Sequence, residues 1–123
     1  MKSTATVFFT LGLMASGAAS AAGPTIGPDN AQSFIGKDAT VCGNVEGGRY
    51  NENSDGQPSF MYFGGAFPRH KFAVRIDGAN RGKFTPPPEE MTGKMVCVAG
   101  RIDRAAGNRP EMTIDDPGVM QVL

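Results

Sequence analysis

The chain has 123 residues, 40% hydrophobic and 20% charged, with 17 glycines, 9 prolines, two cysteines, one histidine and no tryptophan. That length leaves room for one domain with a single modest core and argues against a second. Twelve Lys and Arg balance twelve Asp and Glu, so the chain lacks the overall basic surplus of most phosphate-binding proteins, though net charge says nothing about a local basic face.

Met1-Lys2 is followed by an apolar stretch at 5–14 and then by small residues running to Gly23. This order of charged, apolar and small residues is that of a Sec-type signal peptide. Residues 1–22 are therefore expected to be removed, and residues 23–123 to form the mature domain, periplasmic or secreted. The apolar stretch falls well short of the roughly 20 residues that span a bilayer, so no transmembrane segment is expected in the mature protein. Losing Lys2 leaves eleven Lys and Arg against twelve Asp and Glu.

Residues 23–34 are a Gly- and Pro-bearing lead-in with a turn of helix near 30–34. Residues 37–46 alternate, with Ala39, Val41 and Val45 on one face and Thr40, Cys42 and Asn44 on the other, the period of a half-buried strand. Gly43 within it suggests a bulge or bend. Residues 47–58 read as a polar loop and 59–63 as a second strand. A third strand spans 70–77, with Phe72, Val74 and Ile76 opposed to Lys71, Ala73, Arg75 and Asp77. Residues 78–92 hold too much Gly and Pro for more than one helical turn, near 88–91. The fourth strand, 94–103, sets Val96, Val98 and Ile102 against Cys97, Ala99, Arg101 and Asp103. A turn at Ala106-Gly107-Asn108 then joins it to a fifth strand, 111–115, in a hairpin.

Five short strands with little helix predict an all-β barrel or sandwich, closed rather than open because a small open sheet leaves its edges exposed. Gly36-Lys37 and Gly93-Lys94 precede two of the strands, and Gly43 and Gly100 follow at the same offset. Two strands entering a barrel through similar turns account for this echo more simply than a duplication.

The pieces IGKDATVCGNV (35–45), QPSFMYFGGAFP (57–68), KFAVRIDGANRGKF (71–84), PEEMTGKMVCVAGRI (88–102) and RPEMTID (109–115), in that order and spacing, resemble a bacterial family of small exported or membrane-attached OB-fold proteins labelled nucleic-acid-binding by fold. The resemblance implies a single five-stranded OB-type Greek-key barrel over 23–123 and makes nucleic acid the first ligand to consider. At Asp77 the chain departs from that family, which commonly carries an aromatic residue there, often Trp.

In such a barrel the first and fourth strands lie side by side, and strand parity puts Cys42 and Cys97 on the same face. An exported protein meets oxidising conditions, so a Cys42–Cys97 disulfide is expected, the alternative being two unpaired thiols. No CxxC motif or paired His supports a redox role. One His and two Cys do not give zinc-ligand spacing, so neither metal nor cofactor is expected.

The outward face of the second and third strands carries Phe60, Tyr62, Lys71 and Arg75, with Arg69 and His70 at the strand entrance and Arg49 and Tyr50 in the first loop. Aromatic rings among cations suit single-stranded nucleic acid, since rings stack on bases while Lys and Arg meet phosphates. Tyr50, Tyr62, Lys71 and Arg75 are thus the candidate ligand contacts, while Phe60 is open to a core reading. Tyr and Arg also anchor protein interfaces, which leaves a cell-envelope protein- or glycan-interaction or assembly module as the alternative. No HExxH, nucleophile elbow or phosphate-cradling loop is present, and the pairs Glu89-Glu90 and Asp115-Asp116 read as solvated charge. The expectation is a binding module and not an enzyme.

Overall fold

A computed structural model describes residues 23–123, and the expected signal peptide at 1–22 lies outside the described residues. The described residues form eight strands, β1 (Thr25–Ile26), β2 (Asp38–Tyr50), β3 (Ser59–Phe63), β4 (Phe72–Ile76), β5 (Met95–Arg101), β6 (Asp103–Ala105), β7 (Arg109–Thr113) and β8 (Met120–Val122). Among the described residues helix is limited to one four-residue turn, α1 (Gly78–Arg81), and short 3-10 turns that include Pro28–Phe34 and Pro88–Glu90, close to where the sequence placed its two helical turns.

β2 organises the sheet. Its first half pairs antiparallel with β5, from Asp38 opposite Arg101 to Asn44 opposite Met95, and its second half with β3, from Val45 opposite Phe63 to Tyr50 opposite Ser59. The register shifts between Val45 and Gly47, so the bulge falls at Glu46 and not at Gly43. Gly43 answers a different need: a Cβ there would stand 2.7 Å from the Pro28 ring. Gly47 to Tyr50, expected as loop, remain in the strand because β3 supplies their ladder partners, and pairing overrides intrinsic preference.

The strand order is β6-β7-β4-β3-β2-β5-β8, with β1 parallel to β2 off this path and β4 parallel to β7. The expected single five-stranded closed barrel is corrected on both counts, since the sheet has eight strands and no ladder joins its two ends. The expected fourth strand breaks at Ile102, leaving β5 beside β2 and sending β6 to β7. Ile102 is fully buried, and its backbone amide donates to the Lys37 carbonyl at 2.9 Å. One bent run of chain thus touches both halves of the sheet. β1 and β8 were missed because two or three residues carry no measurable period.

The alternation read from sequence does locate the core. Ala39, Val41, Val45, Met61, Phe63, Phe72, Val74, Ile76, Val96, Val98 and Ile102 are no more than 2% exposed, joined by Phe84, Met91, Met112 and Ile114. Phe63 and Phe72 pack with ring centroids 5.5 Å apart. On the opposite face Cys42 and Cys97 stand directly across the β2/β5 ladder and are disulfide-bonded, which removes the unpaired-thiol alternative.

The solvated reading of Glu89 is corrected. Its side chain is only 19% exposed and pairs with Arg81, whose Nε also donates to the buried Ser59 hydroxyl at 3.1 Å. The 3-10 turn carrying Glu89 packs so closely on β2 that a Cβ at Gly48 would lie 2.5 Å from the Glu89 carbonyl oxygen. Asp116 also has a local task, its carboxylate accepting from the Gly118 amide at 2.8 Å to cap a 3-10 turn.

Candidate ligand-binding groove

Because β3, β4 and β7 turn their even-spaced core residues inward, alternate residues between them face out in rows. One row runs Gly47, Tyr62, Ala73, Glu111, Asp103 across β2, β3, β4, β7 and β6, and the next runs Arg49, Phe60, Arg75, Thr113. Above these rows lies a groove of about 760 Å³, walled at one end by Phe67, Pro68 and His70 of the β3–β4 loop and at another by Ala105 to Gly107 of the β6–β7 hairpin. Asn51, where the β2–β3 loop begins, completes the rim.

The aromatic side chains form a connected set. The Phe60 and Tyr62 rings lie 5.8 Å apart and nearly parallel, His70 stands 4.6 Å from Tyr62, and Phe67 is 5.5 Å from Tyr62 and 5.8 Å from His70. Two arginines lie over outer rings of the set, Arg49 4.9 Å from the Phe67 centroid and Arg75 5.9 Å from that of Phe60. Such contacts hold a guanidinium over a ring while leaving N–H donors for a ligand. Phe67 is 52% exposed, the one ring of the set that presents a large open face to solvent.

Arg109 Nη1 lies 3.1 Å from His70 Nδ1 and 3.2 Å from Nε2. Arginine only donates, so the contact requires an unprotonated ring nitrogen. Burial first, and then the Arg109 charge, lower the His70 pKa from 6.5, which keeps the ring neutral near pH 7. Burial holds the Tyr62 phenol above its ordinary pKa, with the nearby Arg49 pulling the other way. Glu111 is likewise raised by burial, opposed by Arg75 and assisted by Asp103 and Asp77. The charged groups lining the groove are Arg49, Arg75, Arg109 and Glu111, a local cationic excess that the balanced whole-chain charge concealed. No cluster of His, Cys, Asp and Glu that could hold a metal ion is found among the described residues.

Of the four candidate contacts, the structure brings Tyr62 and Arg75 together at the groove and leaves Tyr50 and Lys71 outside it. Tyr62 is only 4% exposed, its ring covered by Phe60, Phe67 and His70, so it supports the outer rings more than it meets a ligand. Tyr50 lies under the Arg81 guanidinium, 3.8 Å from ring centroid to Cζ, in the cluster with Glu89 and Ser59. Lys71 reaches instead toward Asp29, at 3.9 Å. Phe60 is half-buried on the outer face, and Arg49 and His70 line the groove. Phe67, Arg109 and Glu111 were missed. The alternation of Arg109 and Glu111 with buried Pro110 and Met112 was a usable signal, but the parallel pairing of β7 with β4 that brings them to Tyr62 was not in the sequence.

No protein-family model matches the chain, and no curated protein matches it. Among solved structures it is similar to a chain in the crystal structure of yeast Stn1 and Ten1, at 15% identity and TM-score 0.48 over 70% of this chain and 42% of that one. It is also similar to a chain designated an aspartyl-tRNA synthetase from Leishmania major Friedlin, at 13% identity and TM-score 0.44 over 80% of this chain and 20% of that one. Likeness at this level fixes neither fold nor function.

Proposed function

We propose that this is an exported OB-type binding module, without catalysis, that takes single-stranded nucleic acid in the groove of Arg49, Phe60, Tyr62, Phe67, His70, Arg75 and Arg109. The observation that carries the reading is this set of linked aromatic rings set among three arginines, because stacking and phosphate neutralisation are the two terms that sequence-tolerant single-strand binding needs.

The OB-type reading is supported by connectivity. β2, β3 and β4 form an antiparallel meander, β5 returns beside β2, and the β6–β7 hairpin reaches β4. With β5 and β6 counted as one bent strand and the short β1 and β8 set aside as additions, the remaining five strands follow the plan of a partly open Greek-key barrel. Ligands of that fold use the face of its second and third strands and the loops after its first and fourth. The groove lies on β3 and β4, between Asn51 of the first such loop and Ala105 to Gly107 of the second. The His70 nitrogens meet Arg109 rather than a hydroxyl or thiol, which favours binding over nucleophilic chemistry.

Fluorescence anisotropy with labelled single-stranded DNA and RNA tests the reading beside an Arg49→Glu/Arg109→Glu variant. Micromolar binding lost in the variant supports it. No binding even at low salt overturns it and turns attention to an envelope protein or glycan as ligand. Export is tested separately by sequencing the N-terminus of the protein recovered from cells, where a start at Ala22 or Gly23 is expected and retention of Met1 contradicts it.

A further inference from the structure

We infer that Glu111 gives the groove a preference for guanine, its carboxylate accepting the two adjacent N–H donors of a guanine Watson–Crick edge. This rests on the nucleic-acid reading above and adds a base specificity to it.

A carboxylate is out of place in a groove whose arginines would meet phosphates, because it repels them. Glu111 is half-buried on β7, and among the described residues no hydrogen bond or ion pair engages it. The neighbouring acids are occupied, Asp103 by Arg101 at 3.1 Å and Asp77 by Arg75 at 2.8 Å. Glu111 is therefore the acceptor left to a ligand. An acceptor partly withdrawn from water gains most from a donor and loses most when faced with another acceptor.

Its position suits a base edge. Along the row Tyr62, Ala73, Glu111, the middle residue offers only a methyl group. With strands about 4.8 Å apart, the outer two Cα atoms stand roughly 10 Å from each other. Tyr62 and Ala73 are nearly covered, so the surface left to a planar base is the exposed Phe67 ring with His70 beside it, and a base resting there can turn its edge toward the carboxylate across the groove. Guanine offers N1–H and an N2 amino hydrogen side by side, two donors matching two carboxylate oxygens, as a guanidinium does. Cytosine and adenine offer one amino donor next to an acceptor nitrogen, and thymine one N–H between two carbonyls, so each sets an acceptor against the carboxylate.

The test is anisotropy with labelled dT12 and with 12-mers carrying a single central guanine, adenine or cytosine in the same thymine run, one guanine being too few for self-association. The unmodified protein should bind the guanine oligomer about tenfold more tightly than the others, the order expected of one bidentate base contact. Glu111→Gln should bring that ratio below about twofold while affinity for dT12 stays the same or rises as the negative charge goes. Thermal unfolding of the variant confirms that it is folded. Equal binding of all four oligomers overturns the guanine preference and leaves the nucleic-acid reading standing, whereas binding of none overturns both. A preference that survives Glu111→Gln removes Glu111 as its source.

Discussion

Replacing both cysteines, Cys42→Ala with Cys97→Ala, should cost more stability than any single surface change, and the reason lies in the unfolded chain. In the folded protein the two residues already face each other across the β2/β5 ladder, so the bond adds little to native pairing. Unfolded, it ties together positions 55 apart in sequence, and a loop of that length is worth about 4 kcal/mol on the chain-entropy model. For a domain of this size about 1 kcal/mol moves the unfolding midpoint by roughly 4–8 °C, so a fall of about 15–30 °C is expected. Urea and thermal unfolding followed by circular dichroism should give matching losses for the double variant and for the unmodified protein under reducing agent. Thiol titration of the unreduced, denatured protein should find no free thiol. A double variant within about 1 kcal/mol of the oxidised protein would refute the loop-closure argument.

Phe72→Ala, removing a ring that is fully buried against Phe63, should destabilise by about 4 kcal/mol in the same assay. Gly48→Ala, whose Cβ would meet the Glu89 backbone at 2.5 Å, should cost about 1–3 kcal/mol even though alanine is a small change. His70 sets a pH dependence: its folded pKa lies below 6.5, so the unfolded chain takes up the proton first. The stability tied to a neutral His70 is complete above pH 6.5 and is lost as pH falls through the folded value. His70→Gln should flatten that limb of a stability profile, and an unchanged profile would place the titration elsewhere. Glu111 works in the opposite sense, since its raised folded pKa means that stability declines as pH rises through it. Glu111→Gln should therefore raise stability at neutral pH.

The parts of the molecule legible in the sequence are those governed by alternation. Val41, Val74 and Val98 are buried where the period placed them, and Cys42 and Cys97 share the opposite face and are bonded. Pairing was less legible. Tyr50 looked like a loop residue open to a ligand, yet it belongs to β2 and is covered by Arg81. Lys71 has the parity of an outward residue, but it precedes β4 and is drawn toward Asp29. The groove itself depends on the parallel β4–β7 contact, a long-range pairing with no local mark, and so Arg109 and Glu111 could be seen as outward residues without being seen as neighbours of Tyr62. Ile102 illustrates the same limit in the fold, because a continuous apolar alternation across 94–103 gives no sign that the strand changes partners there.

The most direct test of the groove is the salt dependence of single-strand binding, measured between 50 and 200 mM salt. Arg49 and Arg109 are the groove arginines that no carboxylate pairs among the described residues, while Arg75 stays with Asp77. If those two each neutralise one phosphate, log affinity should fall against log salt with a slope of about −1.4, roughly a sevenfold loss over that range. In Arg49→Glu/Arg109→Glu the residual slope should be far shallower and the affinity near the limit of detection. Binding that does not change with salt, or that keeps its full slope in the variant, would contradict the assignment of this groove to nucleic acid.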